Sequence, residues 1–148
     1  MNNTSFQPKI VAFVCNWGAY SGAEAAGLAR ESYPAGITLF RLPCLGGLRV
    51  ATILDAFALG TDGVILLSCA PASCHFDVGN RRSEATFAQA GRLLRLVGVD
   101  DTRLRQVPIR LGDGKNFADE LRRFVEDIRG LGPSQVKHES YRPSHQTI

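Results

Sequence analysis

The sequence predicts an α/β fold: a four-stranded parallel sheet, doubly wound in the flavodoxin-like or Rossmann-like manner, with helices on both faces. Three observations predict it. Strand-length apolar runs alternate with helix-length segments along the chain, the third run is apolar without interruption, and the segment lengths suit right-handed crossovers.

The first strand is Ile10 to Val14, a β-branched and aromatic run that leads into Cys15. Gly22 to Ser32 is alanine-rich with helical spacing, and Ser21 with Glu24 three residues on has the form of a capping box. Ile37 to Leu42 is the second strand and Val50 to Leu59 the second helix. After the turn Gly60 to Gly63, Val64 to Ser68 ("VILLS") suits a strand buried on both faces. A long helix is predicted over Arg82 to Val97, ended by Gly98. Leu104 to Leu111 is the fourth strand, and Pro108, which cannot donate to a ladder, places it at a sheet edge. Asn116 to Leu131, with Phe117, Leu121, Phe124, Val125 and Ile128 on one side, is an amphipathic helix. The expected organisation is a polar extension over residues 1–9, one domain over 10–131, and a flexible or partner-ordered tail over 132–148. That tail and the last helix are candidate docking segments.

A chain of 148 residues has room for one core. Its 45% hydrophobic and 21% charged residues are those of a soluble globular protein, not of a disordered, collagenous or membrane-spanning one. A net charge of +3 does not argue for nucleic acid, and Arg81, Arg82, Arg103, Arg105, Arg122 and Arg123 are spread along the chain, not gathered into a phosphate-tracking stripe. The polar first nine residues lack the form of a signal peptide or membrane helix, so the expected compartment is the cytoplasm. There, four cysteines point to metal ligands, catalytic thiols or buried apolar residues before a disulfide framework.

Position narrows the choice. Cys15 ends the first strand, Cys44 follows the second by two residues, Cys69 ends the third and Cys74 lies in the loop beyond it. In a parallel sheet these ends share the carboxyl edge, where open α/β sheets bind ligands, and strands spaced by about 4.8 Å let such loops converge on one small object. Each cysteine alone is more often core filling; all four at one edge point to a metal centre. Four residues separate Cys69 from Cys74, a spacing also found in plant-type [2Fe–2S] proteins, and there is no CxxC knuckle of the kind structural zinc favours. Trp17, Tyr20, Leu45, Phe76 and several glycines suit a dry surround with backbone amides close to sulfur. His75 is a loop histidine or an additional ligand.

Other chemistries are less well served. A Cys69–Cys74 dithiol switch lacks the CxxC at a helix start that lowers a thiol pKa. Gly18, Gly22 and Gly27 do not form a GxGxxG motif. His75, His138 and His145 lie in a loop and the tail, with no defensible serine–histidine–carboxylate arrangement.

The blocks "CNWGAYSGAE", "LPCLGG", "ILDAFALGTDGVILLSCAPASCHFDVGN" and "FADELRRFVEDIRGLGP" resemble the delta subunit of methyl-viologen-reducing hydrogenase, an iron-sulfur protein associated with heterodisulfide reductase. The resemblance spans roughly Ile10 to Pro133. The family pattern is Cys-Asn-Trp-Cys, a lone cysteine after the second strand, and Gly-Cys-His-Pro-Gly-Asp-Cys-His-Tyr followed by Gly-Asn. Cys15, Cys44, Cys69 and Cys74 fall on family cysteines, His75 and Phe76 on the His-Tyr pair, and Gly79-Asn80 on Gly-Asn. Gly18 departs from it, standing where the family has its second cysteine.

The resemblance implies a [2Fe–2S] cluster on Cys15, Cys44, Cys69 and Cys74 in a non-catalytic electron-transfer subunit of an oxidoreductase complex. Its implied partners are a hydrogenase or formate dehydrogenase and a flavin-bearing heterodisulfide reductase-like subunit. The alternative is a cluster-free or zinc-bound docking module of the same kind of complex.

Overall fold

The structure, a computed structural model, describes residues 5–136. Its element order is β1 (Ile10–Cys15), α1 (Ala19–Leu28), β2 (Ile37–Leu42), α2 (Val50–Ala58), β3 (Gly63–Cys69), α3 (Gly79–Leu96), β4 (Leu104–Ile109) and α4 (Gly114–Leu131). The strands form one parallel sheet in the order β2-β1-β3-β4. This is the α/β architecture predicted, with α1 packed on α4 and α2 packed on α3.

The order follows from composition. β3 is buried at every residue, as an apolar run without polar alternation requires, so it takes a central place beside β1. β4 holds Pro108 opposite Ser68 and stands at the edge, where the missing N–H costs no ladder bond. Phe117, Leu121, Phe124 and Ile128 of α4 are fully buried. The opposite side of α4 carries Lys115–Asp119, Arg122–Asp119, Arg123–Glu120 and Arg129–Glu126 ion pairs, the dressing of a solvated surface. The candidate docking helix has thus committed its apolar side to the core.

Several boundaries differ from those predicted. α1 begins at Ala19, not Gly22, and Ser21 does not cap it: the Ser21 hydroxyl donates to the Gly18 carbonyl at 2.5 Å and accepts from the Gly112 N–H at 2.8 Å. Ser21 lies inside the first turn and ties it to the loop after β4, so Glu24 has no reciprocal partner. α1 also ends early, because Arg30 adopts the left-handed conformation while Glu31 and Arg30 donate to the carbonyls of Ala26 and Gly27, the pattern of a Schellman stop. α3 begins at Gly79, not Arg82, with the Asn80 amide donating to the Ala70 carbonyl. α4 begins two residues early because the Asp113 carboxylate caps the Asn116 N–H.

Near the opposite, amino edge, Asp62 accepts from the N–H groups of Lys9 at 2.8 Å and Ser134 at 2.9 Å. The buried Arg103 guanidinium donates to the carbonyls of Asp62, Leu131 and Pro133. Val136 packs against the core. Residues 132–136 of the expected tail are therefore held to the body; 137–148 and 1–4 lie outside the described residues.

Candidate metal centre

The four cysteines sit at the carboxyl edge, delivered by three strand ends. β1 and β3 are neighbours, and their last residues, Cys15 and Cys69, are both buried with sulfurs 3.0 Å apart. Cys44 adopts an extended conformation (φ −159°) at the start of the short 3-10 turn Leu45–Gly47, and its sulfur accepts the Gly46 N–H at 3.3 Å. Cys74 follows a second 3-10 turn, Pro71–Ser73, and is half-buried. From it the chain reverses through Asp77, in the left-handed conformation at φ 56°, to enter α3.

Cys44 and Cys74 meet at Gly79, the first residue of α3. A Cβ on Gly79 would lie 2.5 Å from the Cys44 sulfur and 3.2 Å from that of Cys74. Gly18 holds the matching place beside the other pair: a Cβ there would lie 3.0 Å from the Cys69 Cα and 3.2 Å from its sulfur. The Gly18 N–H faces that sulfur and acts to lower its pKa. Cys15 and Cys69 thus form one close pair beside the start of α1, while Cys44 and Cys74 both lie against Gly79 at the start of α3, with Cys74 near enough to Cys69 for its charge to act there.

Burial pushes the Cys69 thiol up to about 12, with the hydrogen bond and charge of Cys15 and the charge of Cys74 acting in the same direction and the Gly18 N–H opposing them. A thiol held this way is shifted away from the thiolate that the nucleophile of a dithiol enzyme requires. It gives up its proton to a metal that replaces the N–H and S–H partners with a stronger positive charge. The donor set is soft thiolate, the chemistry of iron-sulfur, zinc or copper(I) centres. Among the described residues no three His, Cys, Asp or Glu side chains converge on a single-ion site.

His75 does not join the sulfurs. Its ring stacks on the Trp17 indole, with centroids 3.7 Å apart and planes 12° from parallel, and Phe76 meets the imidazole edge-on at 4.8 Å. Trp17 and Phe76 are 44% and 49% exposed. The aromatic residues expected to keep the centre dry therefore form an outer lid over the cysteine loops; Leu45 is the buried part of that surround. Tyr20 lies beneath the Arg41 guanidinium, 4.0 Å from the ring centroid.

Sequence reasoning expected glycines with amides close to sulfur, and Gly46 is one; it missed the meeting of the two cysteine loops at Gly79. The signal was a glycine two residues after Cys44, and another opening the helix after Cys74; it reads as turn chemistry until the loops are brought together.

The profile of the FlpD family, described as methyl-viologen-reducing hydrogenase, delta subunit, matches residues 10–132. The iron-sulfur subunit of the vhc F420-non-reducing hydrogenase of Methanococcus voltae is 34% identical over 133 residues, 90% of this chain and 92% of that protein. The iron-sulfur subunit of the F420-non-reducing hydrogenase of Archaeoglobus profundus is 36% identical over 128 residues, 86% of this chain and 93% of its own length. A ferredoxin:CoB-CoM heterodisulfide reductase subunit of Methanosarcina mazei is 31% identical over 134 residues, 89% of this chain but only 17% of that much longer polypeptide. With a family profile covering nearly all of the described fold and full-length relatives above 30% identity, the chain belongs to the methyl-viologen-reducing hydrogenase delta subunit family.

Proposed function

We propose that this chain is an electron-transfer subunit that holds a [2Fe–2S] cluster on Cys15, Cys44, Cys69 and Cys74. The observation that carries the reading is the gathering of all four cysteines at one sheet edge, Cys15 against Cys69 and both Cys44 and Cys74 against Gly79. Bound there, the cluster supplies one-electron chemistry. The protein's part is to hold it with four thiolates, to offer the Gly46 N–H to one of them with the Gly18 N–H facing another, and to limit water with the Trp17–His75 lid. Subunit naming among the relatives supports an iron-sulfur centre in general; the two-iron type rests on the four-residue spacing of Cys69 and Cys74, also found in plant-type [2Fe–2S] proteins.

The partners follow from the relatives. The two archaeal hydrogenase subunits are stand-alone chains of about this length, whereas the Methanosarcina mazei protein carries the same region inside a much longer heterodisulfide reductase polypeptide. A region that is separate in one protein and fused in another supports a docked counterpart of the fused arrangement. This chain is accordingly assigned as a bridge in the cytoplasm between a hydrogenase or formate dehydrogenase and a flavin-containing heterodisulfide reductase-like subunit. Among the described residues no helix is long and apolar enough to cross a membrane.

Anaerobic purification tests the reading: iron and acid-labile sulfide in equal amounts, with a paramagnetic signal on reduction, are expected. A colourless protein with four free thiols overturns it. Gly18, in place of a family cysteine, favours a second reading, a zinc-bound or metal-free docking module, for which stoichiometric zinc without sulfide is the mark.

A further inference from the structure

We infer that Gly18 and Gly79 are positioning residues of the thiolate centre, each bringing the N-terminus of one helix, α1 or α3, onto one sulfur pair. The inference rests on the reading of the four cysteines as one centre and adds the two helix ends that press on it.

Glycine matters at these places for space, not for backbone freedom: a Cβ at Gly79 would overlap the Cys44 sulfur, and one at Gly18, where the family has a cysteine, would press on Cys69 by a few tenths of an ångström. Gly18 has φ −102°, an angle any residue adopts, and Gly79 lies within α3. Both are buried, and at both the atoms that a side chain would strike belong to cysteines: the Cα, Cβ and sulfur of Cys69 at Gly18, and the sulfurs of Cys44 and Cys74 at Gly79. Gly46 adds to the second contact, since a Cβ on it would lie 2.9 Å from the Gly79 Cα and 3.3 Å from the Cys44 sulfur. Gly27 in α1 and Gly47 in the Cys44 loop face open space, and the tight glycines elsewhere meet backbone or apolar side chains, as Gly114 meets Ala26 and Gly63 meets Ile128, whereas Gly18, Gly46 and Gly79 have a cysteine sulfur among their nearest atoms.

The electrostatic consequence has one sign. A helix N-terminus carries unpaired N–H groups and partial positive charge, which favour a thiolate over a thiol and a more negative centre over a less negative one. One helix serves the buried Cys15–Cys69 pair and another the half-buried Cys44–Cys74 pair. A methyl group at Gly79 meets only the ends of two cysteine side chains, which in the metal-free protein can turn aside. The fold then survives while the pair is broken. A methyl at Gly18 meets backbone as well, so the start of α1 moves off Cys69 and its N–H donor weakens.

The test compares Gly18→Ala and Gly79→Ala with Gly27→Ala and Gly47→Ala in the full chain. Metal-free protein is titrated with Co2+, reading the sulfur-to-cobalt charge-transfer band, and its thermal midpoint is measured. Each variant is then reconstituted with ferrous iron and sulfide for iron content and midpoint potential. Gly79→Ala is expected to keep a metal-free thermal midpoint close to that of the controls and to bind cobalt on the order of tenfold or more weakly, the usual cost of disturbing groups that orient metal ligands. Gly18→Ala is expected to keep iron at a more negative midpoint potential. If Gly79→Ala unfolds, adding Cys44→Ala removes the thiol the methyl strikes and restores the midpoint of Cys44→Ala alone. Failure of that rescue, or variants matching the two controls in cobalt affinity and potential, overturns the inference. A wild-type protein that takes neither cobalt nor iron overturns instead the reading of the cysteines as a centre, and this inference with it.

Discussion

Cys15 and Cys69, 54 residues apart in the chain, end adjacent strands with their sulfurs 3.0 Å apart. Both are buried, whereas Cys44 and Cys74 are only half-buried. Four thiols that serve one centre therefore differ in access. In metal-free protein, alkylation by iodoacetamide at pH 8 is expected to modify Cys44 and Cys74 first. Cys15 and Cys69 follow only as the protein unfolds, since access and thiolate character both set the rate. Peptide mass mapping at successive times checks the order; uniform modification of all four contradicts the burial described.

Trp17 and His75 close the cysteine loops by a ring stack at 3.7 Å. Both rings lie over loops on the surface, so Trp17→Ala removes cover without opening the core. Stability is expected to fall by about 0.5–1.5 kcal/mol, the worth of an aromatic pair. The visible absorbance of the reconstituted protein in air is expected to bleach several-fold faster than in the wild type. Equal bleaching rates mean that the lid does not limit access.

Asp62 joins the segment before β1 to the segment after α4 by accepting from the N–H groups of Lys9 and Ser134 while its own carbonyl takes the buried Arg103. Asp62→Ala strands two donors and is expected to cost about 2–3 kcal/mol by the usual worth of hydrogen bonds to a charged acceptor. Proteolytic cleavage just beyond Gly132 is expected to speed up with it. A thermal midpoint and a cleavage pattern unchanged from wild type refute the latch.

How much of this was legible in the sequence follows physical lines. Strand period and the uninterrupted β3 run placed Cys15, Cys44 and Cys69 at one edge, because alternation in the chain dictates which strand ends lie together. The start of α1 was not legible: Ser21 and Glu24 have capping-box spacing, but Ser21 is claimed by Gly18 and by Gly112, which is 91 residues away. The pairing of Cys44 with Cys74 through Gly79 was hidden for the same reason, since loop-to-loop distance is set by packing and leaves no mark in spacing. His75, weighed as a ligand from its place beside Cys74, went to Trp17 because that ring lies parallel above it.

On the surface of α4, Lys115 and Arg122 hold the Asp119 carboxyl down at about 2, below its ordinary 3.8. A depressed acid contributes stability above its unfolded pKa and loses it as pH falls through the folded one. Asp119→Asn is therefore expected to lower the thermal midpoint slightly at pH 7, and the difference from wild type is expected to shrink between pH 4 and pH 2. A difference independent of pH over that window removes the ion pairs as its cause. Because the groups are solvated, added salt reduces the effect as well.

Gly18 stands where the family places a cysteine, and its position beside the Cys69 sulfur decides what Gly18→Cys would do. A Cβ at residue 18 lies 3.2 Å from that sulfur, so a thiol there meets the Cys15–Cys69 pair first. If four thiolates already complete the centre, the fifth adds no ligand. Gly18→Cys is then expected to bind the same iron and sulfide per chain as the wild type. The shifted start of α1 shows instead as an altered potential. The opposite outcome, a colourless wild type and an iron-loaded Gly18→Cys, makes residue 18 a ligand position and this chain a member of the family that has given up its cluster while keeping the fold that docks it. Iron and sulfide analysis of the two proteins, prepared side by side without oxygen, separates the cases.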